Sequence, residues 1–169
     1  MNSGSGGASA EWSKEVFRRL IEEGFNKGNL EALDDCFPLR YVEHQFAMPS
    51  TREEFKRTIR SLRETFSPFS LTIEDMVADG DKVWARMTGR GTDSKGYRGR
   101  PPTGKSFAIT VIDVCRFEDG KITEHWGVPD RFHQLAQLGF LPRPGEQTSG
   151  EDGKNEEARG APALEGQRQ

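Results

Sequence analysis

Residues 109–139 read ITVIDVCRFEDGKITEHWGVPDRFHQLAQLG, and this stretch decides the fold. Apolar and polar residues alternate on both sides of an EDG turn at residues 118–120, which is typical of two antiparallel strands joined by a hairpin. A short closing helix is predicted over residues 130–138. One strand carries Asp113 among apolar neighbours, where a carboxylate is costly unless it is paired or used.

The segments before this hairpin are helical first and extended afterwards. Apolar residues recur at helical spacing in residues 11–27, 30–37 and 51–66, which predicts three helices. After Pro68 the apolar period changes, and strands are predicted around residues 71–77, 82–91, 106–117 and 121–128. This order predicts an α+β fold in which N-terminal helices pack against one curved antiparallel sheet.

The apolar residues that can build a core are confined to the middle of the chain. Of the 169 residues, residues 1–10 and 142–169 are rich in Gly, Ser, Glu and Pro, so both are predicted to be disordered tails. Residues 11–141 are therefore predicted to form one domain. Cys36 and Cys115 lie far apart in apolar settings, which predicts two buried thiols in a reducing cytoplasm.

The charge pattern argues against several classes of partner. The formal net charge is -3 and the two signs are interspersed, so neither nucleic acid nor a membrane is an expected partner. No apolar run is long enough to span a bilayer. The three histidines lack the paired spacing of a zinc site, and no glycine-rich phosphate loop is present, so neither a metal nor a cofactor is expected.

The register of the hairpin decides which polar residues meet, and the sequence allows two registers. A three-residue turn with a bulge at Gly120 would place Asp113 opposite His125 and Val111 opposite Gly127. A two-residue turn would instead place Asp113 beside Trp126.

Two groups of polar residues are candidates for chemistry. In the first register, Asp113 would orient the imidazole of His125 and favour its charged form, and such a pair could move a proton at a carbon next to a carbonyl. The same pair could instead be a structural hydrogen bond that holds the hairpin. The second group, Tyr41, Glu43 and His44, could line the mouth of a pocket or form a solvated connector.

Several short motifs also follow one another in a recognisable order. They are NKGNL at residues 26–30, YVEH at residues 41–44, GRPPTGK at residues 99–105, FEDGKI at residues 117–122, and HW followed by PD at residues 125–130. In this order and spacing the chain resembles the SnoaL-like polyketide cyclases, or ester cyclases, over nearly all of residues 11–141.

The resemblance implies a fold of the nuclear transport factor two-like, or ketosteroid-isomerase-like, superfamily. In that fold a curved antiparallel sheet and its helices form a cone around an apolar pocket. It also implies intramolecular aldol closure of a polyketide ester, without metal or organic cofactor, on a small apolar carbonyl compound. The family's pocket positions correspond to Val111, Asp113, His125 and Gly127, and their shared inward face requires the bulged register.

The chain departs from the family at three pocket positions. Gly127 stands where the family carries its principal acid/base aspartate, Val111 replaces a polar residue, and Glu43 stands where the family can carry an amide. We therefore expect Asp113 to be the base and His125 its orienting or proton-donating partner. The remaining substrate-binding candidates are Tyr41, Glu43, His44, Val111, Trp126 and Gly127.

Two other functions remain open at this point. The same fold could serve as a non-catalytic small-molecule-binding or dimeric module, or the same residues could run an isomerase or hydrolase reaction. The resemblance leaves a homodimer open, because members of the superfamily commonly pair through the outer face of the sheet.

Overall fold

The computed structural model describes residues 5–142 and residue 145, with side chains from residue 10 onward. Helix α1 (Ser5–Arg19) continues without a break into a π-helical segment, Leu20–Lys27. The predicted end at Gly28 is confirmed: this glycine adopts φ 76° and its N–H bonds to the carbonyl of Glu23. Such a left-handed conformation closes a helix most easily at glycine.

The beginning of this helix differs from the prediction. Residues 5–10 are helical rather than an unstructured tail, because adding a residue to an existing helix costs far less than starting one. The predicted C-terminal tail lies outside the described residues except for Pro142 and Gly145. The extent of the independent domain stays a prediction.

Four further helical segments follow along the described part of the chain. A 3-10 turn (Leu30–Ala32) leads into α2 (Leu33–Cys36), and α3 spans Arg52–Thr65. The hydroxyl of Thr51 accepts a hydrogen bond from the Glu54 N–H at 3.4 Å, so the predicted N-cap of α3 is confirmed. Helix α4 (Arg131–Gln137) closes the fold after the last strand.

The sheet has five strands in the order β1-β5-β4-β3-β2. The bounds of the strands are Val42–Glu43 (β1), Phe66–Asp79 (β2), Lys82–Asp93 (β3), Ser106–Glu118 (β4) and Lys121–Pro129 (β5). Strands β2 to β5 are antiparallel neighbours, as predicted, whereas β1 pairs in parallel with β5 at the edge.

The β4–β5 hairpin begins with the predicted two-residue turn, but a bulge shifts its register beyond Phe117 away from both predicted pairings of Asp113. Glu118 pairs with Lys121, so the turn has two residues, Asp119 and Gly120, both with positive φ. Thr123 is then left unpaired as a bulge between two ladder pairs. Asp113 consequently faces Gly127 rather than His125 or Trp126, Val111 faces Pro129, and His125 faces Cys115.

The predicted division of the side chains between the two faces of the sheet is unaffected by this correction. The observed register differs from the bulged prediction by two residues, and side chains alternate between faces with a period of two. Asp113, His125 and Gly127 therefore share the inward face of the sheet.

The core lies between this inward face and the helices. It is built from fully buried side chains of the helical layer and of the strands, namely Phe17, Ile21, Leu33, Phe37, Ile59, Val83, Met87, Cys115 and Ile122. A smaller cluster under α4 contains Phe66, Phe107, Ile109 and Leu138, and Val111 packs against both clusters. Cys36 and Cys115 are free and fully buried, as predicted. In the part of the chain that the structure describes, no helix is both long and apolar enough to cross a membrane.

Candidate active site

Three strands bring two carboxylates and an imidazole together on the inward face. The parallel pairing of β1 with β5 places Glu43 beside His125. The β4–β5 register places Asp113 diagonally across from His125, two ladder pairs away. Diagonal neighbours on one face of a sheet are within reach of long side chains.

The imidazole of His125 lies between the two carboxylates. Its Nδ1 is 3.0 Å from each carboxylate oxygen of Glu43, and its Nε2 is 3.6 Å from Asp113 Oδ2. The side chains of Glu43, His125 and Asp113 are 2%, 9% and 12% exposed, so the cluster is screened from solvent. The contact with Glu43 is a hydrogen bond, whereas the contact with Asp113 is an ion pair just beyond hydrogen-bond length.

These surroundings fix the charge of the ring. Burial is the largest single influence and disfavours the charged form, but Asp113 and Glu43 together outweigh it and raise the pKa of His125 to about 10. At neutral pH His125 is therefore an imidazolium, which donates protons and cannot act as a base.

Asp113 is the acceptor that remains open in the cluster. Its Oδ1 is buried and has no hydrogen-bond partner among the described residues. Buried polar atoms are nearly always paired, and a ligand that supplies the missing donor would remove this cost. Asp113 is thus placed to accept a proton or a hydrogen bond from a bound molecule.

Glu43 does more than the sequence alone indicated. Besides its contact with His125, its Oε1 accepts a hydrogen bond of 2.7 Å from the backbone N–H of Gln45. From the sequence alone, Glu43 could be either a pocket residue or part of a solvated connector. Its pairing had no local signal, because β1 has only two residues and its partner strand lies about 80 residues away in the chain.

Tyr41 lies next to this cluster, but its side chain is held by contacts with the rest of the fold. Its hydroxyl donates to the carbonyl of Pro49 at 2.7 Å, and its ring packs against Phe37 and Phe55. Burial and, to a lesser degree, the nearby Glu43 carboxylate raise the pKa of the Tyr41 phenol, so it stays protonated.

The structure does not bring His44 and Trp126 to the cluster. Their rings stack on each other with centroids 4.6 Å apart and planes 3° apart, and His44 Nε2 lies 2.8 Å from Glu124 Oε1. Trp126 sits between two inward-facing residues of β5 and therefore points to the outer face of the sheet.

The inward face is least covered near the middle of β4. Val111 and Gly127 are half-buried, whereas Phe107, Ile109 and Cys115 on the same face are buried. A molecule that reaches Asp113 would therefore enter beside Val111 and Gly127. The side chain of Gln45, which sequence reasoning missed, also approaches this point: its amide lies over Gly127.

A separate cleft of about 790 Å³ lies between the end of the π-helical segment and α3. It is open to solvent, and its lining includes Gly28, Arg60, Arg63 and Lys95 but none of the predicted site residues. Within residues 10–142, no three His, Cys, Asp or Glu side chains are grouped in a way that could hold a metal ion.

Comparison with known proteins places this geometry in a family. The model of the SnoaL-like polyketide cyclases matches residues 15–138, which include all eight predicted site residues. The chain belongs to the SnoaL-like polyketide cyclase family. The recognition made from the sequence motifs is thereby confirmed.

Similar proteins support the same assignment. The nogalonic acid methyl ester cyclase of Streptomyces nogalater is 28% identical over 124 residues, which are 68% of this chain and 89% of that protein. TsrD from Streptomyces laurentii is 30% identical with a TM-score of 0.71, over 78% of this chain and 97% of TsrD. IdmH from Streptomyces antibioticus is 33% identical with a TM-score of 0.68, over 75% of this chain and 98% of IdmH. The predicted α+β fold of this SnoaL-like chain is confirmed as well.

Proposed function

We propose that this SnoaL-like protein is a cofactor-independent acid/base enzyme that closes a ring in a small, mostly apolar polyketide ester. One observation carries the proposal: the buried and unpartnered Oδ1 of Asp113 lies in the same cluster as the imidazolium of His125. A base and a proton donor held together in a water-poor setting are what an aldol reaction needs.

The proposed reaction is an intramolecular aldol addition. Asp113 removes a proton from the carbon next to a substrate carbonyl, and the resulting enolate carbon attacks a second carbonyl carbon of the same molecule. A carbon–carbon bond forms while that second carbonyl becomes an alkoxide. His125 donates its Nε2 proton to the alkoxide, and the proton on Asp113 then returns to His125, so the product is an isomer of the substrate.

Glu43 acts in this scheme as a positioning residue. Its hydrogen bond to Nδ1 orients the ring so that Nε2–H faces Asp113 and the substrate. Its charge also helps to keep the ring protonated before the substrate binds.

The surroundings of the cluster support an apolar substrate. Val111 and the apolar residues behind it line the inward face, so the contacts available beyond the polar cluster are mainly hydrophobic. Such a site binds its ligand through apolar area and orients it through a few polar groups.

The test uses nogalonic acid methyl ester as the first probe, because a relative is named for it. We expect the protein to convert it to a cyclised isomer of equal mass, separable by chromatography. Asp113→Asn should lower turnover by about 10² or more while the protein stays folded, because the amide keeps the size but cannot accept the proton. Asp119→Asn, on the exposed turn of the same hairpin, is the matched control and should keep full turnover.

The other functions give different results in the same experiment. Loss of the methyl group would indicate a hydrolase, and an isomer without a new ring would indicate an isomerase. Binding without turnover would indicate a non-catalytic module. Full turnover by Asp113→Asn would exclude Asp113 as the base.

We also propose that two copies pair through the outer face of the sheet. An apolar row crosses four strands there through the cross-strand neighbours Val77, Trp84, Val114 and Trp126. Trp84 is 49% exposed and Val77 is 59% exposed, which is a large apolar area for a lone chain.

Charge compensation beside this row favours a second copy of the chain as its partner. Asp75 pairs with Arg86, and Arg116 pairs with Glu124 at 2.8 Å, both within one chain. A partner that presents the same face therefore brings apolar surface without an unbalanced charge.

A further inference from the structure

Gln45 reaches across the inward face of β5 and fills the space next to Gly127. A Cβ atom built on Gly127 would lie 2.0 Å from Gln45 Oε1 and 2.9 Å from His125 Cε1. Non-bonded carbon and oxygen atoms do not approach to 2.0 Å, so the amide occupies the place of a side chain at this position. Gly127 is therefore the residue that admits Gln45.

The backbone of the segment after β1 holds Gln45 in this place. Its N–H donates to Glu43 Oε1 at 2.7 Å, and its carbonyl accepts from the N–H of Met48 at 3.1 Å. The adjacent His44 N–H donates to the carbonyl of His125 at 2.9 Å, which ties the segment to β5. The carboxylate that orients His125 thus also anchors Gln45.

The amide of Gln45 lies on the same face of the sheet as the other polar groups of the site. Gly127 is the direct cross-strand neighbour of Asp113, so an amide over Gly127 lies on the same inward face as Asp113 and His125. Within the described residues the Gln45 side chain makes no hydrogen bond to protein, and the residue is half-buried. Its two N–H donors are consequently available to a bound molecule.

We propose that Gln45 is a catalytic hydrogen-bond donor whose amide binds the carbonyl oxygen of the carbon acid, while Asp113 removes the neighbouring proton. The inference rests on the aldol function proposed above. It adds a hydrogen-bond donor for the enolate oxygen, which the imidazolium of His125 does not provide. His125 donates its proton to the alkoxide of the second carbonyl. The negative charge on the enolate oxygen therefore needs a separate hydrogen-bond donor. The electron pair of the broken carbon–hydrogen bond moves onto that oxygen, and the Gln45 N–H stabilises it there.

The role of Gln45 also sets the orientation in which the substrate must bind. Its acidic carbon lies over Asp113, and the oxygen of the adjacent ketone or ester carbonyl points towards the amide nitrogen of Gln45, whose Oε1 lies over Gly127. A side chain at position 127 would displace the amide, so Gly127 and Gln45 act as one unit.

Proton exchange tests the step without needing the natural substrate. The probe is 2-tetralone, an apolar bicyclic ketone, and the readout is the rate of deuterium uptake from D₂O at its acidic carbon by NMR. Gln45→Met keeps the length of the side chain and removes the donors, so we expect the exchange rate to fall about 10²-fold. Phe46→Ala is the matched control, because this neighbour on the same turn is 91% exposed, and it should exchange at the wild-type rate.

A double variant separates hydrogen bonding from packing. Gly127→Ala should slow exchange as much as Gln45→Met, because the new Cβ atom expels the amide. Gly127→Ala combined with Gln45→Ala should stay as slow as Gly127→Ala, because the donor is already lost. Recovery of the wild-type rate in the double variant would show that Gln45 only packs, and would overturn the inference.

The same series distinguishes this inference from the function on which it rests. A wild-type rate in Gln45→Met together with a lost rate in Asp113→Asn would overturn the role of Gln45 and leave the acid/base function standing. A wild-type rate in Asp113→Asn, or no exchange by the wild-type protein, would overturn both.

Discussion

His125 links the chemistry of the site to the stability of the fold. Its ring is buried between Glu43 and Asp113, and these carboxylates hold its pKa at about 10, well above the value of about 6.5 for a solvated imidazole. The folded state therefore keeps a proton on His125 over a pH range in which the unfolded chain releases it. Each released proton makes unfolding easier.

The first prediction concerns the pH dependence of stability. The stabilisation from His125 is fully present below about pH 6.5 and is lost as the pH rises towards 10, by at most about 1.4 kcal/mol per pH unit. The difference in free energy of unfolding between wild type and His125→Gln should therefore be constant below that range and shrink through it. Urea unfolding at a series of pH values measures this difference.

A second variant controls for the general effect of alkaline pH. His133 lies exposed on α4. The free energy of unfolding of His133→Gln should therefore fall with pH as steeply as that of the wild type. A wild-type slope in His125→Gln would contradict the proposed charge of the ring.

The sequence identified some of these residues and missed others for physical reasons. Asp113 and His125 could be found because each interrupts an apolar strand pattern. Glu43 was also a candidate, but its pairing with His125 could not be predicted, since a strand of two residues carries no periodicity. Gln45 has no signal at all in the sequence, because its position depends on the absence of a side chain at Gly127.

The β4–β5 hairpin shows the same limit for whole elements. The strands, the turn and the inward-facing residues could be predicted from alternation and from the EDG triplet. The register could not, because the bulge at Thr123 adds a residue without any local signal. A two-residue error leaves every side chain on its predicted face, so Asp113, His125 and Gly127 share one face as predicted although their pairings differ.

The connection between β3 and β4 depends on one buried carboxylate. Asp93 is fully buried and accepts hydrogen bonds from the Gly96 N–H at 3.0 Å and from the N–H and hydroxyl of Thr103 at 2.9 Å each. Gly96 adopts φ 90°, and a Cβ there would lie 2.1 Å from the carbonyl oxygen of Arg100. These contacts fold residues 94–105 back onto the end of β3.

The second prediction follows from this arrangement. Asp93→Ala should lower the free energy of unfolding by about 2–4 kcal/mol, because three donors lose a charged acceptor and the buried ones cannot reach water. Cleavage by trypsin after Lys95 and Arg98 should become faster as the loop is released. Asp79→Ala, at an exposed acid near the end of β2, is the control and should change neither quantity. An unchanged stability in Asp93→Ala would show that the loop is held by other contacts.

The whole molecule presents its apolar row on the outer face, and the third prediction concerns the pairing of two chains there. We expect sedimentation to give twice the mass of one chain, since a stable dimer of this kind buries about 1,200–2,000 Å² in total. Trp84→Lys should shift the protein towards the monomer, because it places a charge in the middle of the row. Phe132→Lys, at an exposed aromatic residue on α4, should leave the dimer intact. A wild-type monomer at micromolar concentration would contradict the proposal.

The stability of the site also depends on β1, its shortest strand. Glu43 and Gln45 stand on and next to β1, an edge strand of two residues, whereas Asp113 and His125 stand on long strands inside the sheet. Opening an edge segment costs much less than unfolding the core, since few backbone hydrogen bonds are broken. When β1 detaches, the orienting carboxylate and the amide leave together, while β2 to β5 keep their ladder. We therefore expect the amides of residues 42–45 to exchange with solvent earlier than those of β4, and the proposed site to come apart in a local fluctuation that leaves β2 to β5 intact.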